Sequence, residues 1–281
     1  MTPARPVYFI SDHTGITAEI IGKSLLSQFP DEAFATVSLP FVDTLEKAVL
    51  AARQVKDDGR RTNVKPLVFS TLTDPAARAE LDACDAVVMD IYGHFLGMMA
   101  SEIGYPPAPL RGRFHGMSDA NSYRGRIDAV NFALAADDGL GPEKYERADL
   151  ILIGVSRSGK TPTSLYMAMQ YSLYVANYPL TPENFENFHE QPGLPKSLLP
   201  YRAKLRGLTL APERLAQIRS ERRPNSPYAA LETCKLELKQ AERLMRDTGI
   251  PVVDSTHRSV EEISSLLKQS LRADQAAPTP A

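Results

Sequence analysis

One stretch of the sequence, residues 150–161, constrains the fold more than any other. The apolar run Leu150–Ile153 is typical of a buried strand, and the next eight residues, Gly-Val-Ser-Arg-Ser-Gly-Lys-Thr, fit the pattern G-x-x-x-x-G-K-[ST] at every fixed position. A helix-compatible segment follows from Thr163. A strand, a glycine-bounded loop and a helix in this order predict a phosphate-binding loop in an α/β domain.

The residue types of this loop suit a nucleotide. Its backbone N–H groups and the N-terminus of the next helix can donate to phosphate oxygens. We expect Lys160 to act catalytically by reaching the transferred phosphate, and the Thr161 hydroxyl to hold Mg²⁺ that arrives with the nucleotide. The predicted nucleotide-binding residues are Gly154, Val155, Ser156, Arg157, Ser158, Gly159, Lys160 and Thr161. The alternative is a tight strand-to-helix turn with a solvated lysine.

Strand and helix patterns alternate along the rest of the chain at the spacing of βαβ units. The predicted strands are residues 7–11, 35–42, 66–71, 86–91, 150–153, 175–180, 207–210 and 250–254. This alternation predicts an α/β protein of two tandem, mostly parallel α/β units, the second a P-loop kinase-like domain. We expect the first domain to span residues 1–145, the second residues 146–273, and residues 274–281 to form a disordered tail.

The composition argues against several classes of protein. With a net charge of −2 and no apolar run long enough for a membrane span, we expect neither a nucleic-acid nor a membrane partner. The N-terminal residues do not show the pattern of a signal peptide, so a cytoplasmic location is expected. Cys84 and Cys234 have no metal or redox spacing and are predicted to be buried thiols, and no zinc site is predicted.

Phosphoryl transfer also needs a carboxylate and further positive charge. Asp254 ends a predicted strand and is the candidate for a metal-linked carboxylate or a base, although it could instead cap the last helix. Arg222 and Arg223 are candidates for contacts to phosphate or to the target, because a guanidinium matches phosphate oxygens. A solvated helix face is the alternative for this pair.

The first half contains a second set of candidate contacts. Asp12, Thr14 and Thr17 follow the first strand, where α/β sheets bind ligands, although the threonines could simply cap a helix. His115 lies among arginines in a stretch from residue 92 to residue 125 that is rich in Gly and Pro and is predicted to be irregular. Because both halves open with a strand and a hydroxyl-rich loop containing glycine, an internal duplication is an open hypothesis.

Characteristic segments occur along nearly the whole chain, from Val7 to about residue 271. They are residues 9–12, 17–19, 27–30, 39–42, 115–116, 137–139, 154–166, 176–179, 212–215, 221–223 and 255–262. On these residues the chain resembles the bacterial phosphoenolpyruvate synthetase regulatory proteins, which belong with the pyruvate, phosphate dikinase regulatory protein family.

The resemblance implies a bifunctional enzyme. Its members use ADP to phosphorylate a threonine beside the catalytic histidine of a dikinase, which inactivates it, and they reverse this with inorganic phosphate, releasing pyrophosphate. The implied substrates are therefore ADP and inorganic phosphate, with Mg²⁺, and the implied target is phosphoenolpyruvate synthetase (pyruvate, water dikinase). A homodimer is also implied, and the family's ADP-binding loop falls on Gly154–Thr161.

Two other functions fit the residues. The first is a P-loop kinase that uses ATP to phosphorylate a small molecule, with residues 181–200 as a lid over the acceptor. The second is a nucleotide-gated binding module without transfer chemistry. The identity of the phosphoryl donor separates the first from the regulator, and Asp254→Asn separates the second, because a module would keep its output as long as ADP binds.

Overall fold

A computed structural model describes residues 4–108, 120–186 and 193–276, and the chain forms two compact units, Met1–Ser118 and Asp119–Ala281. In each unit the described residues contain one four-stranded sheet whose neighbouring strands all pair in parallel. Helices connect these strands. The predicted α/β class with two mostly parallel units is confirmed, and all eight predicted strands are present, with ends that differ by a few residues.

The first unit has the strand order β2-β1-β3-β4. Its elements are β1 (Arg5–Ile10), α1 (Ile16–Leu26), β2 (Phe34–Leu39), α2 (Leu45–Thr62), β3 (Leu67–Ser70), α3 (Pro75–Asp82), β4 (Val87–Asp90) and α4 (Ile91–Ile103). Successive side chains of β1 point to opposite faces of the sheet. Tyr8 and Ile10 pack with residues of α2 and α3, whereas Val7 and Phe9 pack with residues of α1. Burial on both faces explains why this strand is a continuous apolar run.

The second unit has the strand order β6-β5-β7-β8. Its strands and α-helices are α5 (Ala120–Ala135), β5 (Leu150–Val155), α6 (Lys160–Tyr171), β6 (Val175–Leu180), α7 (Pro182–Glu186), β7 (Leu205–Thr209), α8 (Pro212–Arg222), α9 (Leu231–Asp247), β8 (Val252–Asp254) and α10 (Val260–Ala276). Short 3-10 helices occur at Pro142–Arg147, Leu199–Lys204 and Pro227–Ala229. The two units share one strand order, with the first strand of each in the second place, as the duplication hypothesis expects.

Strand β5 is the centre of the second unit. Ile151 and Ile153 pack in a cluster with residues of α8 and α9, whereas Leu150 and Leu152 pack with residues of α6 and α10. All six residues of the strand are buried. Because both neighbours of β5 pair in parallel with it, the loop that follows Val155 lies at the carboxyl edge of the sheet, where α/β proteins bind ligands.

The structure differs from the sequence predictions in three places. The compact units divide at Ser118/Asp119 rather than near residue 145, because Ala129 and Ala133 of α5 pack on Ala168 of α6 in the second unit. Helix α4 occupies residues that were predicted to be irregular. Helix α10 continues to Ala276, so residues 274–276 of the predicted tail are helical, and residues 277–281 lie outside the described part of the chain.

The prediction of an irregular segment from residue 92 was wrong for residues 92–103. Gly93 and Gly97 lower the helix propensity there by about 1 kcal/mol each relative to alanine, so the local signal is weak. The helix forms because the side chain of Asp90 caps it, its Oδ1 accepting a hydrogen bond from the Gly93 N–H at 2.8 Å. Over the described residues, the structure has no helix that is both long and apolar enough to cross a membrane.

Candidate active site

The 154–161 loop joins β5 to α6, and two of its glycines are required by geometry. Gly154 has φ 153°, and a Cβ added there would lie 2.4 Å from the carbonyl oxygen of Leu208 on the neighbouring strand. Gly159 is the N-cap residue of α6 in a left-handed conformation, with φ 92° and no side chain to satisfy the first-turn N–H groups. Pro162 has no N–H and the Thr163 N–H donates to the Gly159 carbonyl oxygen at 3.2 Å, which leaves the N–H groups of Lys160 and Thr161 for an anion.

Lys160 is buried at the start of α6. Its side chain is only 4% exposed, and its Nζ donates to the carbonyl oxygens of Gly154 at 2.9 Å and Val155 at 2.8 Å. Burial lowers the pKa of Lys160 from 10.5 to about 7, and the negative charges of Asp138 and Asp137 oppose this shift. The lysine is therefore buried at the base of the loop, and no carboxylate of the described residues forms an ion pair with it, an arrangement that favours the entry of an anion.

Thr161 points to a carboxylate from a distant part of the chain. Its Oγ1 donates to Asp137 Oδ1 at 3.0 Å and Oδ2 at 3.2 Å, and it accepts from Asn177 Nδ2 at 3.0 Å. Asn177 Nδ2 also donates to Asp137 Oδ1. The turn that follows α5 thus carries Asp137 to the first helical turn of α6, where a hydroxyl and a carboxylate adjoin.

The two serines of the 154–161 loop have different surroundings. Ser156 Oγ accepts from the Tyr228 hydroxyl at 2.9 Å, which ties it to the 3-10 helix before α9. Ser158 is 1% exposed, and its Oγ has no hydrogen-bond partner among the described residues, whereas its carbonyl oxygen accepts from Ser255 Oγ at 3.2 Å. A buried hydroxyl without a partner is rare in proteins, and a phosphate oxygen would satisfy it.

A buried arginine supports the loop from behind. Arg219 of α8 has a fully buried side chain, whose Nη2 pairs with Glu237 Oε2 at 2.6 Å and donates to the Ser156 carbonyl oxygen at 3.2 Å. Its Nη1 donates to the Tyr228 carbonyl oxygen at 3.0 Å, and its guanidinium lies 4.0 Å from the centroid of the Tyr228 ring. One side chain therefore connects α8, α9 and the 154–161 loop.

The loop forms the floor of a cleft of about 1170 Å³. The turn after α5 and Asn177 of β6 bound it on one side. Leu210 and four α8 residues bound a second side, and residues 255–260 with Ile263 bound a third. The α8 residues that line the cleft are Arg214, Gln217, Ile218 and Arg222. Aliphatic and cationic side chains thus occur together around a loop that presents N–H groups, as a nucleotide requires.

Comparison with known proteins covers both units of the chain. The model of the family described as kinase/pyrophosphorylase matches residues 7–267, which is most of the sequence. The chain belongs to the kinase/pyrophosphorylase family. It is 50% identical over 274 residues to a protein of Azoarcus sp. and 49% identical over 275 residues to one of Aromatoleum aromaticum, covering 97% and 98% of this chain and 98% of each relative.

A third relative, from Bordetella avium, is 47% identical over 268 residues, covering 95% of this chain and 96% of that protein. All three carry the name "Putative phosphoenolpyruvate synthase regulatory protein". The resemblance drawn from the sequence motifs is therefore confirmed at the level of the family. A kinase/pyrophosphorylase fits a site whose geometry combines a buried lysine with a hydroxyl–carboxylate pair.

The three site residues predicted near the C-terminus, Arg222, Arg223 and Asp254, do not all lie at the cleft. Arg222 lines the cleft, whereas Arg223 is not among the lining residues. Asp254 ends β8 as expected, but it is exposed, and its Oδ1 accepts from Thr256 N at 2.8 Å and Thr256 Oγ1 at 2.5 Å. These hydrogen bonds lower the pKa of Asp254, which makes the carboxylate a poor base near neutral pH. Its catalytic role stays a prediction.

The candidates in the first unit lie at the carboxyl end of β1. Asp12 is buried and accepts from Thr73 N at 3.0 Å and Thr73 Oγ1 at 2.5 Å. Thr14 is exposed, and neither it nor Thr17 caps α1, because Gly15 is the N-cap residue and no side chain bonds there. Their role as contacts stays a prediction. His115 lies outside the described residues.

Sequence reasoning missed Asp137 and Asn177. Residues 137–139 contribute to the family resemblance, but no role for the Asp137 carboxylate follows from the sequence pattern. Asn177 was treated as part of an ordinary strand. Its signal was a polar amide in a buried strand, since a fully buried asparagine needs specific partners.

Proposed function

We propose that this chain is a bifunctional regulator of phosphoenolpyruvate synthase. In one direction it transfers the β-phosphoryl group of ADP to a threonine of the synthase, and in the other it removes that group with inorganic phosphate. The family description, a kinase and a pyrophosphorylase, supports both directions of transfer. The names of the relatives support the synthase as the target. The use of ADP and a threonine acceptor rests on the family resemblance.

The observation that carries the proposal is the buried Lys160 beside the Thr161–Asp137 pair. A buried lysine attracts a phosphate group strongly, because burial has already removed much of its hydration and, within the described part of the chain, no carboxylate contacts its Nζ. The first-turn N–H groups of α6 and the Ser158 hydroxyl add donors. Together these groups suit the negative charge that develops on a transferred phosphoryl group.

The chemistry balances in both directions. In the kinase direction the threonine oxygen bonds to the β-phosphorus of ADP while the bond to the bridging oxygen breaks, so AMP leaves with the electron pair and the threonine proton is lost. In the reverse direction an oxygen of inorganic phosphate bonds to the phosphorus of phosphothreonine, the threonine oxygen leaves and takes up a proton, and pyrophosphate forms. Lys160 and the loop N–H groups bind the phosphoryl group in either case.

The residues at the site fit a magnesium ion. Thr161 Oγ1 and the Asp137 carboxylate are adjoining oxygen atoms, the ligand type that Mg²⁺ prefers. Among the described residues no group of three or more His, Cys, Asp or Glu is placed to hold a metal, so phosphate oxygens and water would complete the coordination. When bound, the ion supplies positive charge to the phosphates. Asp137 replaces Asp254 as the first candidate for the carboxylate beside it.

The remaining cleft suits a nucleoside and a protein substrate. Ile218 and Val260 belong to different walls of the cleft and offer apolar contacts to a purine base, with Leu210 nearby. Arg157 and Arg222 line the cleft and are exposed, so they can meet phosphate or an acidic target surface. The homodimer that the resemblance implies stays a prediction.

The test uses β-labelled ADP, Mg²⁺ and purified phosphoenolpyruvate synthase of the same organism, with γ-labelled ATP as the control donor. We expect label from ADP on a threonine of the synthase and loss of synthase activity, and we expect release of labelled pyrophosphate after addition of inorganic phosphate. Transfer from ATP to a metabolite, and none from ADP, would establish the small-molecule kinase instead. Binding of ADP without transfer to an active synthase would establish the nucleotide-gated module.

A further inference from the structure

Asn177 is a buried amide whose presence in β6 demands an explanation. It is 1% exposed and pairs in register with Leu152 of the central strand. Burial of an amide without hydrogen bonds costs about 1–3 kcal/mol in proteins, so a buried asparagine is retained only with specific partners. Its hydrogen bonds outside the sheet lead to the turn that carries Asp137 and to Thr161 at the start of α6.

The backbone of Asn177 holds that turn at both ends. Its N–H donates to the Ala136 carbonyl oxygen at 2.9 Å, and its carbonyl oxygen accepts from Gly139 N–H at 2.9 Å. Residues 136–139 are therefore attached to β6 by two hydrogen bonds that do not depend on the side chain. A substitution at Asn177 leaves these bonds available, so the effect of the side chain can be measured separately.

The side-chain amide of Asn177 joins the hydroxyl and the carboxylate of the site. Nδ2 donates to Thr161 Oγ1 at 3.0 Å and to the Asp137 carboxylate. The opposite orientation of the amide would place a carbonyl oxygen against a carboxylate oxygen, which is repulsive, so this orientation follows from the partners. The two amide hydrogens thus fix the relative position of the two oxygen groups proposed to hold the cation.

The carbonyl oxygen of the Asn177 amide differs in its surroundings from the amide nitrogen. Asn177 Oδ1 is buried and has no hydrogen-bond partner among the described residues, and Asn177 lines the cleft. A donor that enters the cleft beside Asn177 would give this acceptor a hydrogen bond. Magnesium in nucleotide sites keeps several of its waters, and each bound water is a strong donor. A water on the cation can therefore satisfy Oδ1.

We propose that Asn177 is a positioning residue for the cation that accompanies the nucleotide. Its Nδ2 holds Thr161 and Asp137 together, and its Oδ1 accepts a hydrogen bond from a water on the cation. Groups that orient metal ligands typically contribute about 10- to 100-fold to metal affinity. The proposal rests on the proposed function, because it needs a cation that enters with a phosphate-bearing ligand.

The test measures Mn²⁺ binding apart from nucleotide binding. Free Mn²⁺ is followed by its electron paramagnetic resonance signal as protein and ADP are added, and metal-free ADP binding is measured by calorimetry in EDTA. Asn177→Leu removes both functions of the amide at similar volume, and Asn177→Ala removes them without added bulk. Asn184→Ala, an amide after β6 that is not among the lining residues, is the matched control.

We expect both Asn177 variants to lose about 10- to 100-fold in Mn²⁺ affinity in the presence of ADP, with metal-free ADP affinity unchanged and the control equal to wild type. Unchanged Mn²⁺ affinity in a folded variant would overturn this inference but not the proposed function. An equal loss of metal-free ADP affinity would also overturn it, because the amide would then act on the loop as a whole. If the wild-type protein binds neither ADP nor Mn²⁺ with ADP, the proposed function fails first.

Discussion

At the scale of single residues, Lys160 shows how the fold prepares a site for negative charge. Its amine is buried against two backbone carbonyl oxygens, and its pKa falls to about 7 because burial disfavours the charged form. In an unfolded chain a lysine keeps its proton up to about pH 10.4. The ligand-free protein is therefore less stable than it would be with an apolar side chain at this position.

The first prediction concerns how the destabilisation caused by the buried Lys160 amine depends on pH. Between pH 7 and pH 10.5 the Lys160 amine is protonated in the unfolded chain but neutral in the folded protein, so the free energy of unfolding rises with pH. Below pH 7 the amine is protonated in both states, and the full destabilisation from burying its charge remains. We expect Lys160→Met to stabilise the ligand-free protein most below pH 7. Above pH 7 the free energy of unfolding of the wild type should rise relative to that of the variant by at most about 1.4 kcal/mol per pH unit.

Urea unfolding of both proteins on either side of pH 7 measures this difference. Lys239→Met, which changes an exposed lysine on α9, is the control for the loss of one lysine. A constant difference between wild type and Lys160→Met across the range would show that the amine keeps its proton in the folded state.

The second prediction separates two carboxylates. Asp137 contacts the Thr161 hydroxyl, whereas the Asp254 carboxylate is engaged by Thr256 of its own turn. We expect Asp137→Asn to reduce phosphoryl transfer by about 10- to 100-fold or more, since a group that orients a cation is weakened. Asp254→Asn should have a much smaller effect. Initial rates with labelled ADP and the synthase measure both variants, and a larger loss for Asp254→Asn would return the catalytic role to that residue.

At the scale of elements, the 154–161 loop is held by the helices behind it. Arg219 lies on α8, pairs with Glu237 on α9 and donates to the Ser156 carbonyl oxygen. A charge this deeply buried needs its partner, because an unpaired guanidinium in the core has lost its hydration without compensation. The position of the loop and the packing of α8 on α9 therefore depend on the same pair.

The third prediction follows from this pair. Glu237→Gln leaves Arg219 buried without its counter-charge and should lower the free energy of unfolding by about 3–5 kcal/mol. Glu232→Gln on the same helix breaks an exposed pair with Lys235 and should cost less than about 1 kcal/mol. Urea unfolding compares the two, and similar small losses would mean that the buried pair is not needed for the packing of α8 on α9.

The elements also show what could be predicted from sequence. The central strands β1 and β5 carried a strong local signal, because burial on both faces of a parallel sheet produces continuous apolar runs, whereas the edge strands β2 and β8 are largely exposed. Helix α4 was missed because Gly93 and Gly97 weaken its pattern and its cap, Asp90, lies in the preceding strand. The loop glycines and Lys160 were predictable because the motif is local.

The other half of the site was not predictable by local reasoning. Asp137 meets Thr161 across 24 residues of sequence and Asn177 across 40, so the contact exists only once α5 packs on α6 and β6. Asp254 had the right position at the end of a strand, but a strand end does not determine the direction of the side chain. In the structure, the hydrogen bonds from Thr256 determine the direction of the Asp254 side chain.

At the scale of the whole molecule, the described lining of the cleft belongs to the second unit alone. That unit has its own sheet and buried clusters on both faces of it. The fourth prediction is that a fragment of residues 119–281 folds and binds ADP with Mg²⁺ nearly as tightly as the full chain. Calorimetry on both proteins measures this, and a folded fragment without affinity for ADP would show that the first unit is needed for nucleotide binding.

We propose that one cleft carries out phosphoryl transfer in both directions. The most direct measurement assays wild type and Lys160→Met with the synthase, first for transfer from labelled ADP and then for pyrophosphate release from the phosphorylated synthase with inorganic phosphate. We predict that the variant loses both activities, because the same lysine binds the transferred phosphoryl group in each. Loss of one activity with retention of the other would contradict the claim and would require a second site.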